Sequence, residues 1–539
     1  MLTDRTTKRL QGLSQCSNNE HRAKRVFQLM TNYPDLWFEV AENIGRNRGA
    51  KTAGVDGETH ATAVRRMDAI REDLRTGAYR PKPVRRVMIP KSKGGFRPLG
   101  IPTATDKLVQ SVAARILEEI YEPVFSDHSH GFRKGRSCHT ALDEFKHTWN
   151  GTKWIIEADI RGCFDNINHD VLIGLLAKRI EDRRFLKLIR SFLRAGYLAD
   201  WVYNRTYSGT PQGGTVSPIL ANIYLHELDE WLEQKAATFN KGKARHYNPE
   251  YKRRYNRYQN VLYRVRKLKA AGELDQAGEL ETKLGELKAH YLQCPPSDTH
   301  DPNFRRMRHI RYADDFVIGI IGSKAEATTI LTDLNAFMAE RLKVELAAEK
   351  TGVVHAAEGS RFLGYDIKVV TSAQRVRRIR GGTRRTMMTG IATLEWPMER
   401  ALRFACERGY IDNAEHRKTR PRTPLLHLTE GEIIQRYIQE LRGISNYYSR
   451  AKNWRHVGNL LYWLCKDSLV KTLASKNRAK RTRTYARLKM GDAIGLHVGE
   501  KVLQLLPPKR WKRYQTDNPD RKPHGSIPVF QRVHCDSNV

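Results

Sequence analysis

Apolar residues at Val26, Leu29, Met30, Leu36, Phe38 and Val40 fall at helical spacing and predict a mostly helical stretch over residues 1 to 80, broken at Gly54-Val-Asp-Gly57. From Tyr79 to Gly100 proline and β-branched residues take over. Val84 to Ile89 reads there as a strand and Lys93-Gly-Gly95 as a hairpin turn. Leu108, Val112, Ile116, Leu117 and Ile120 then mark one face of a helix from Lys107 to Tyr121. The apolar run Trp154-Ile-Ile156 predicts a strand ending at Glu157-Ala-Asp159, followed by a helix around Val171 to Leu176. Ile219, Leu220, Ile223, Leu228 and Leu232 place residues 215 to 235 on another helix.

Residues 235 to 306 break this alternation with a Lys/Arg/Tyr-rich stretch. Leu262, Val265, Leu268, Leu280, Leu284 and Leu287 follow at helical spacing. They predict an inserted helical hairpin turned near Gly272, whose charges suit a solvated connector and a nucleic-acid contact equally. After His309, Ile310 and Tyr312 on one side and Phe316-Val-Ile-Gly-Ile-Ile321 on the other flank Asp314-Asp315, which predicts two strands with two acids at their turn. A helix from Lys324 to Leu342 and a strand from Phe362 to Val370 complete this part. Arg375 to Arg385 holds six Arg in eleven residues and a Gly-Gly pair, and reads as a linker or a phosphate-facing loop. Beyond Thr429 the pattern is helical and basic, and residues 475 to 489 carry seven Lys or Arg and no acid.

Charge narrows the function. In 539 residues, 95 Lys and Arg stand against 59 Asp and Glu, a formal net charge of +36 that is best tolerated where a polyanion neutralises it. With 40% hydrophobic residues the chain has ample core material, and its length suggests three or four domains. No run of eighteen apolar residues and no apolar signal core occurs, so a soluble, intracellular protein without a membrane partner is expected. Cys16, Cys138, Cys163, Cys294, Cys406, Cys465 and Cys535 are scattered, with no Cys-x-x-Cys pair, which argues against a disulfide framework or a Cys-rich zinc site.

Candidate chemistry rests on Asp159 and Asp314-Asp315. A carboxylate cluster in a basic chain is costly unless something positive sits in it, and magnesium fits, because it takes one or two carboxylates and completes its shell with waters and substrate phosphates. By itself an Asp-Asp pair is more often a solvated turn. Here it stands among other motifs: Ile89-Pro-Lys91, Gly95-Phe-Arg-Pro-Leu-Gly-Ile-Pro102, His130-Gly-Phe-Arg-Lys-Gly-Arg-Ser137, Ala158-Asp-Ile-Arg-Gly-Cys-Phe-Asp-Asn-Ile167, Gly209-Thr-Pro-Gln-Gly-Gly-Thr-Val-Ser-Pro218, Tyr312-Ala-Asp-Asp315, Glu349-Lys-Thr351 and Phe362-Leu-Gly-Tyr365. In that order, over roughly residues 20 to 490, the chain resembles the group II intron-encoded proteins, reverse transcriptases with maturase activity.

That resemblance implies an α+β, right-hand polymerase fold. It divides the chain into an N-terminal extension (1–78), fingers and palm (79–372, with the insertion), a linker (373–429), a helical thumb or maturase X domain (430–489) and a basic, DNA-binding-like C-terminal segment (490–539). It implies that Asp159, Asp314 and Asp315 are catalytic and, with the Ile160 carbonyl, hold two Mg²⁺ ions, for which Mn²⁺ can substitute. Phe164 takes the place of the steric gate under the incoming sugar, Gln212 supports the nucleotide, Lys91 and Arg97 clamp its triphosphate, and Lys350 protonates the leaving pyrophosphate. Arg133, Lys134 and Arg136 form a basic loop toward template backbone or triphosphate. In the thumb, matched best at Gln435 to Tyr448, Arg450, Lys452 and Arg455 face nucleic acid together with Lys480 and Arg481, while Tyr448 and Trp463 are expected in the core. The implied partners are group II intron RNA, target DNA and deoxynucleoside triphosphates, in a bacterial cytoplasm and on the nucleoid when bound to DNA. Many relatives continue into an HNH endonuclease. Here only His524, His534 and Cys535 offer such ligands, so none is expected. A free-standing defence-type reverse transcriptase and a non-catalytic splicing maturase remain as alternatives.

Overall fold

The computed structural model describes residues 2–90, 95–199, 202–204, 209, 213–294, 296–298, 301–370, 374–379, 382–387 and 390–511. Its centre is a four-stranded antiparallel sheet in the order Gly352–His355, Trp154–Ala158, Asp315–Ile321, Arg306–Tyr312. Both faces of this sheet are covered, and alternate residues of one strand enter different cores. Ile156, Phe316, Ile318 and Ile320 face one core, while Ile155, Val317 and Ile310 face the other. Position 319 shares the second face with Val317 and is glycine because the Trp149 ring presses there, 2.6 Å from where a Cβ would stand.

The first core joins the central sheet to helices on its N-terminal side. Asp4–Asn18, Val26–Asn32, Pro34–Gly45, His60–Arg65 and Met67–Thr76 bear out the helical reading of the first 80 residues. Leu13, Leu29 and Trp37 pack into the same core as Leu108 and Ile116 of helix Ala104–Tyr121, so this N-terminal stretch is part of the body of the protein. Helix Ser217–Phe239 crosses the same face. A second four-stranded sheet pairs Phe96–Ile101 with Val84–Pro90, which runs parallel to Tyr197–Ala199, itself paired with Val202–Asn204.

The second core is built largely from the C-terminal part of the chain. Helices Glu430–Tyr447 and Trp454–Lys476 pack against Ala141, Leu142 and Phe145 of helix Cys138–Thr148 and against a three-stranded sheet of Ser360–Phe362, Tyr365–Val370 and Ile391–Glu395. The expected single strand from Phe362 is thus a hairpin, turned at Leu363 and Gly364 with φ of +47° and +77°. The end of the long helix closes on this turn: the Tyr447 hydroxyl donates to the Leu363 carbonyl at 2.5 Å and that of Tyr448 to Gly364 at 3.1 Å. Tyr448 is buried as expected, its ring stacked on Trp396 at 4.6 Å.

The stretch read as a linker, 373–429, is structured in its described residues. Gln374–Ile379 and Gly382–Met387 form a β-hairpin, Ile391–Glu395 adds the third strand of the sheet above, and Met398–Glu407 is a helix. After the arginine run, Ala392, Leu394 and Trp396 enter the core. Strands also occur at the start of the basic C-terminal segment, Lys489–Met490, Ala493–Val498 and Lys501–Leu505 forming a small sheet. Among the described residues no helix is long and apolar enough to cross a membrane.

Candidate active site

Strand Trp154–Ala158 leads directly into Asp159, and strand Asp315–Ile321 begins with the second acid of the turn. Ala158 pairs with Phe316 in antiparallel register, so Asp159 stands across from Asp315 with Asp314 in the adjoining turn. Acids from two distant parts of the chain thus meet at one end of the sheet. Beyond Asp159 the chain pairs again: Ala347 N–H donates to the Asp159 carbonyl at 2.8 Å and Arg161 N–H to that of Glu345 at 2.9 Å. This pattern turns the Ile160 carbonyl away from the pairing.

The turn carrying Asp314 is tight. Tyr312 pairs with Asp315, leaving Ala313 and Asp314 as loop residues, and Ala313 takes a left-handed φ of +57°. Gly131 makes room for it, since a Cβ there would stand 2.3 Å from the Ala313 nitrogen. The motif around Gly131 runs alongside, His130 N–H donating to the Arg311 carbonyl at 2.8 Å and Arg311 N–H to that of His128 at 2.9 Å.

Arg311 is the residue that sequence reasoning missed. Its side chain is fully buried beneath the acids and all five N–H donors are used. Nε and one NH₂ nitrogen grip Asp229 at 2.8 and 2.6 Å, and the Ser129 hydroxyl accepts at 2.8 Å. The other NH₂ nitrogen donates to the Asn222 side-chain oxygen at 3.1 Å and to the Ala313 carbonyl, in the turn itself, at 2.9 Å. Asn222 also donates to the Gly131 carbonyl at 2.7 Å. The available signal was a charged residue between Ile310 and Tyr312 just before the acids, and an Asp next to Leu228 on the buried face of helix Ser217–Phe239.

The acids repel one another. Burial raises the Asp314 carboxyl above its ordinary value, and the Asp159 charge adds to the rise. Asp315 keeps solvent contact, yet the surrounding protein and then Asp314 and Asp159 push it up to about 7. Lys350 partly offsets this: its ammonium group bonds the Asp159 carboxylate, which raises the lysine pKa and keeps it protonated.

This donor set suits a hard divalent cation. Carboxylates and a backbone carbonyl are all oxygen ligands, and their mutual repulsion is what a bound cation would relieve. Among the described residues no group of three or more His, Cys, Asp or Glu side chains is placed so that it could hold a metal ion by itself. Magnesium does not require one, since substrate phosphates and water supply the rest of its shell.

Phe164 sits half-buried on the short helix Cys163–Asn166, just past Asp159. Gly209 (φ +86°) touches it from the other side, where a Cβ would lie 2.7 Å from the Phe164 carbonyl. Gly213 (φ +119°) presses on strand Phe96–Ile101, its Cβ position 2.2 Å from the Gly100 carbonyl. Gln212, like Lys91, lies outside the described residues. Arg97, on that same strand, is half-buried and makes no ion pair among the described residues. The structure therefore gathers Asp159, Asp314, Asp315, Phe164 and Lys350 at one end of the sheet, with Gly209 against Phe164 and Gly213 against the strand of Arg97.

Three expected nucleic-acid contacts are corrected. Arg133 is buried, its guanidinium on Glu122 at 2.9 Å and on the Ser126 and Ser129 carbonyls at 2.6 and 2.7 Å, because the loop folds inward around it. Arg136 binds Asp127 at 2.6 Å, and Arg450 binds both carboxylate oxygens of Asp143 at 3.1 Å, tying the C-terminal helices to helix Cys138–Thr148. Lys134, Lys452, Arg455 and Lys480 are exposed, and Arg481 is exposed but paired with Asp467. Trp463, expected in the core, is 51% exposed, because Leu461, Tyr462, Leu464 and Cys465 supply the buried face of its helix.

Behind the His130 motif, Glu144 accepts from His128 at 2.5 Å and from His130 at 2.7 Å. The Glu144 bond holds the His128 pKa above its ordinary value. A raised histidine adds stability that is fully present below about pH 6.5 and is lost as pH rises through its folded value. The Tm difference between wild type and His128→Gln should therefore narrow between pH 6 and pH 9; a difference independent of pH would contradict this.

The family model for reverse transcriptase (RNA-dependent DNA polymerase) matches residues 89–258, and that for type II intron maturase matches residues 390–521. The first span contains Asp159 but stops within the insertion, short of Asp314. The chain is 39% identical to the group II intron-encoded protein LtrA of Lactococcus lactis subsp. cremoris, over 88% of this chain and 79% of that one. It is 34% identical to a putative COX1/OXI3 intron 1 protein of Saccharomyces cerevisiae, over 91% of this chain and 57% of that one. It is also 32% identical to the protein YkfC of Escherichia coli, over 71% of this chain and 90% of that one.

Proposed function

Since the chain belongs to the group II intron-encoded proteins, we propose that it copies RNA into DNA at the Asp159–Asp314–Asp315 site and binds the intron RNA that encodes it, to promote splicing and then retrohoming by target-primed reverse transcription. The observation that carries this reading is the juxtaposition of the three carboxylates at one sheet end, in a chain with both a reverse transcriptase and a maturase segment. The maturase segment favours it over a free-standing defence enzyme.

In this reading the central sheet is the palm, the sheet carrying Arg97 belongs to the fingers, and helices Glu430–Tyr447 and Trp454–Lys476 form the thumb. Asp159, Asp314, Asp315 and the Ile160 carbonyl would hold two magnesium ions, or manganese in their place, which would activate the primer 3′-hydroxyl and neutralise the leaving pyrophosphate. Lys350 holds its proton at Nζ beside Asp159 and can give it to that pyrophosphate. Arg97 offers a planar fork for the triphosphate of an incoming deoxynucleotide, together with Lys91, and Gln212 supports the nucleotide. The target DNA supplies the primer.

Phe164 would exclude the ribose 2′-hydroxyl by bulk. Phe164→Val should raise ribonucleotide incorporation relative to deoxynucleotide by about tenfold or more, measured as kcat/KM for each on one RNA template; unchanged sugar selectivity removes this assignment. The function itself is tested by primer extension on an RNA template with magnesium, run beside splicing of the transcript that flanks the reading frame. Extension without any effect on splicing would favour the free-standing enzyme.

A further inference from the structure

The inserted hairpin has a surface that the polymerase site does not use. Its helices, Pro249–Ala270 and Leu274–Tyr291, pack on each other through Val265, Leu268, Ala277 and Leu284, with Tyr251, Tyr255 and Tyr258 gathered around Tyr291. The base is fixed to the body: Asn248 N–H donates to the Pro296 carbonyl at 3.0 Å, and Arg306 donates to the Lys241 and Gly242 carbonyls. The hairpin thus satisfies its own apolar seam, and the opposite face of its first helix is left to solvent.

That face is basic. Arg253, Arg257, Arg264 and Lys267 recur at intervals of three, four or seven residues, so they lie in one stripe about 21 Å long. All four are exposed, and none of their side chains forms a hydrogen bond or ion pair among the described residues. Of the nearby acids, Glu281 on the partner helix binds Lys269 at 2.7 Å and Glu250 on the stripe's own helix binds Arg254, so both are engaged outside the stripe. Tyr263, 69% exposed, stands beside it with its ring free to stack on a base. Four unpaired cations in one row repel one another, and the row is stabilised only when anions lie along it.

We propose that this stripe is a docking surface for the phosphate backbone of a structured RNA, with Tyr263 against an unpaired base. The proposal rests on the reading of the chain as an intron-RNA-binding reverse transcriptase, and names a segment through which that RNA is held apart from the polymerase site. The hairpin extends past the end of the reverse transcriptase match at residue 258 and lies before the maturase match at 390, so neither family model spans it.

The test uses the full chain with Arg253, Arg257, Arg264 and Lys267 all changed to Gln, and a second variant in which the three arginines become Lys. Binding of the transcript flanking the reading frame is measured against salt, beside a DNA duplex of about 30 base pairs and extension of oligo(dT) on poly(rA). The Gln variant should bind the transcript about tenfold or more weakly, with the salt slope reduced by about three to four, while extension and Tm stay at wild-type values and the Lys variant keeps most of the affinity. Unchanged affinity and slope in the Gln variant would overturn the docking surface, and an equal loss on the DNA duplex would overturn its assignment to RNA. If wild type neither extends the primer nor prefers the transcript to unrelated RNA, the underlying reading fails; normal extension and transcript preference with an indifferent Gln variant removes the stripe alone.

Discussion

Changing Asp314 and Asp315 together to alanine is expected to remove cDNA synthesis while leaving RNA binding and splicing assistance intact. The loss should be on the order of 10⁴-fold or more, about 5.5 kcal/mol of transition-state stabilisation. The reason is local. Both acids stand at the turn and the first strand position opposite Asp159, where their charges repel, and alanine removes that repulsion without opening either core. The variant should fold at least as well as wild type, so its Tm is the control. Loss of splicing together with cDNA synthesis would mean that these acids serve the fold.

The second large effect is expected at the buried pair beneath them. Asp229→Asn leaves the Arg311 guanidinium without its counter-charge in a site closed to solvent, which should cost about 3–5 kcal/mol of stability. Arg311→Lys should do no better, since one ammonium cannot serve five donor positions shared among Asp229, Asn222, Ser129 and the Ala313 carbonyl. Arg311→Met combined with Asp229→Leu separates the roles. Apolar packing can replace a buried ion pair, so this double variant should regain much of the lost Tm. It still lacks a donor for the Ala313 carbonyl, and its primer extension should remain at least about tenfold below wild type, mainly in kcat. Full recovery of activity with stability would show that the pair acts on the fold alone.

These two sites differ in how far the sequence revealed them. The acids were legible because the strands around them obey simple periodicities: apolar runs ending at Asp159 and flanking Asp314-Asp315 can do little except form buried strands with a tight turn. Their meeting follows from the pairing of Ala158 with Phe316, which the ordered motifs implied and no local pattern could. Arg311 was hidden for the complementary reason. Its partners Asp229 and Asn222 lie far away in sequence, on a helix whose apolar face drew attention to its leucines. Arg133, Arg136 and Arg450 show the opposite error. In a chain of net charge +36 every arginine invites a phosphate, but Glu122, Asp127 and Asp143 come within reach only once the chain is folded. The stretch 373–429 reads as a linker because the arginine run at 375–385 dominates its composition while the strand Ile391–Glu395 that follows is only five residues long, and the hairpin at Phe362 to Tyr365 reads as one strand because its turn residues sit inside a continuous apolar pattern.

The central claim is that one chain both copies RNA at an acidic site and holds the RNA that encodes it. It is tested most directly by incubating the purified full-length protein with the transcript flanking its reading frame, a DNA primer and magnesium, and measuring ligated exons and cDNA in the same reaction. The account predicts both products from wild type, and ligated exons alone from Asp314→Ala with Asp315→Ala. No cDNA from wild type, or cDNA with no gain in ligated exons over RNA alone, would contradict it.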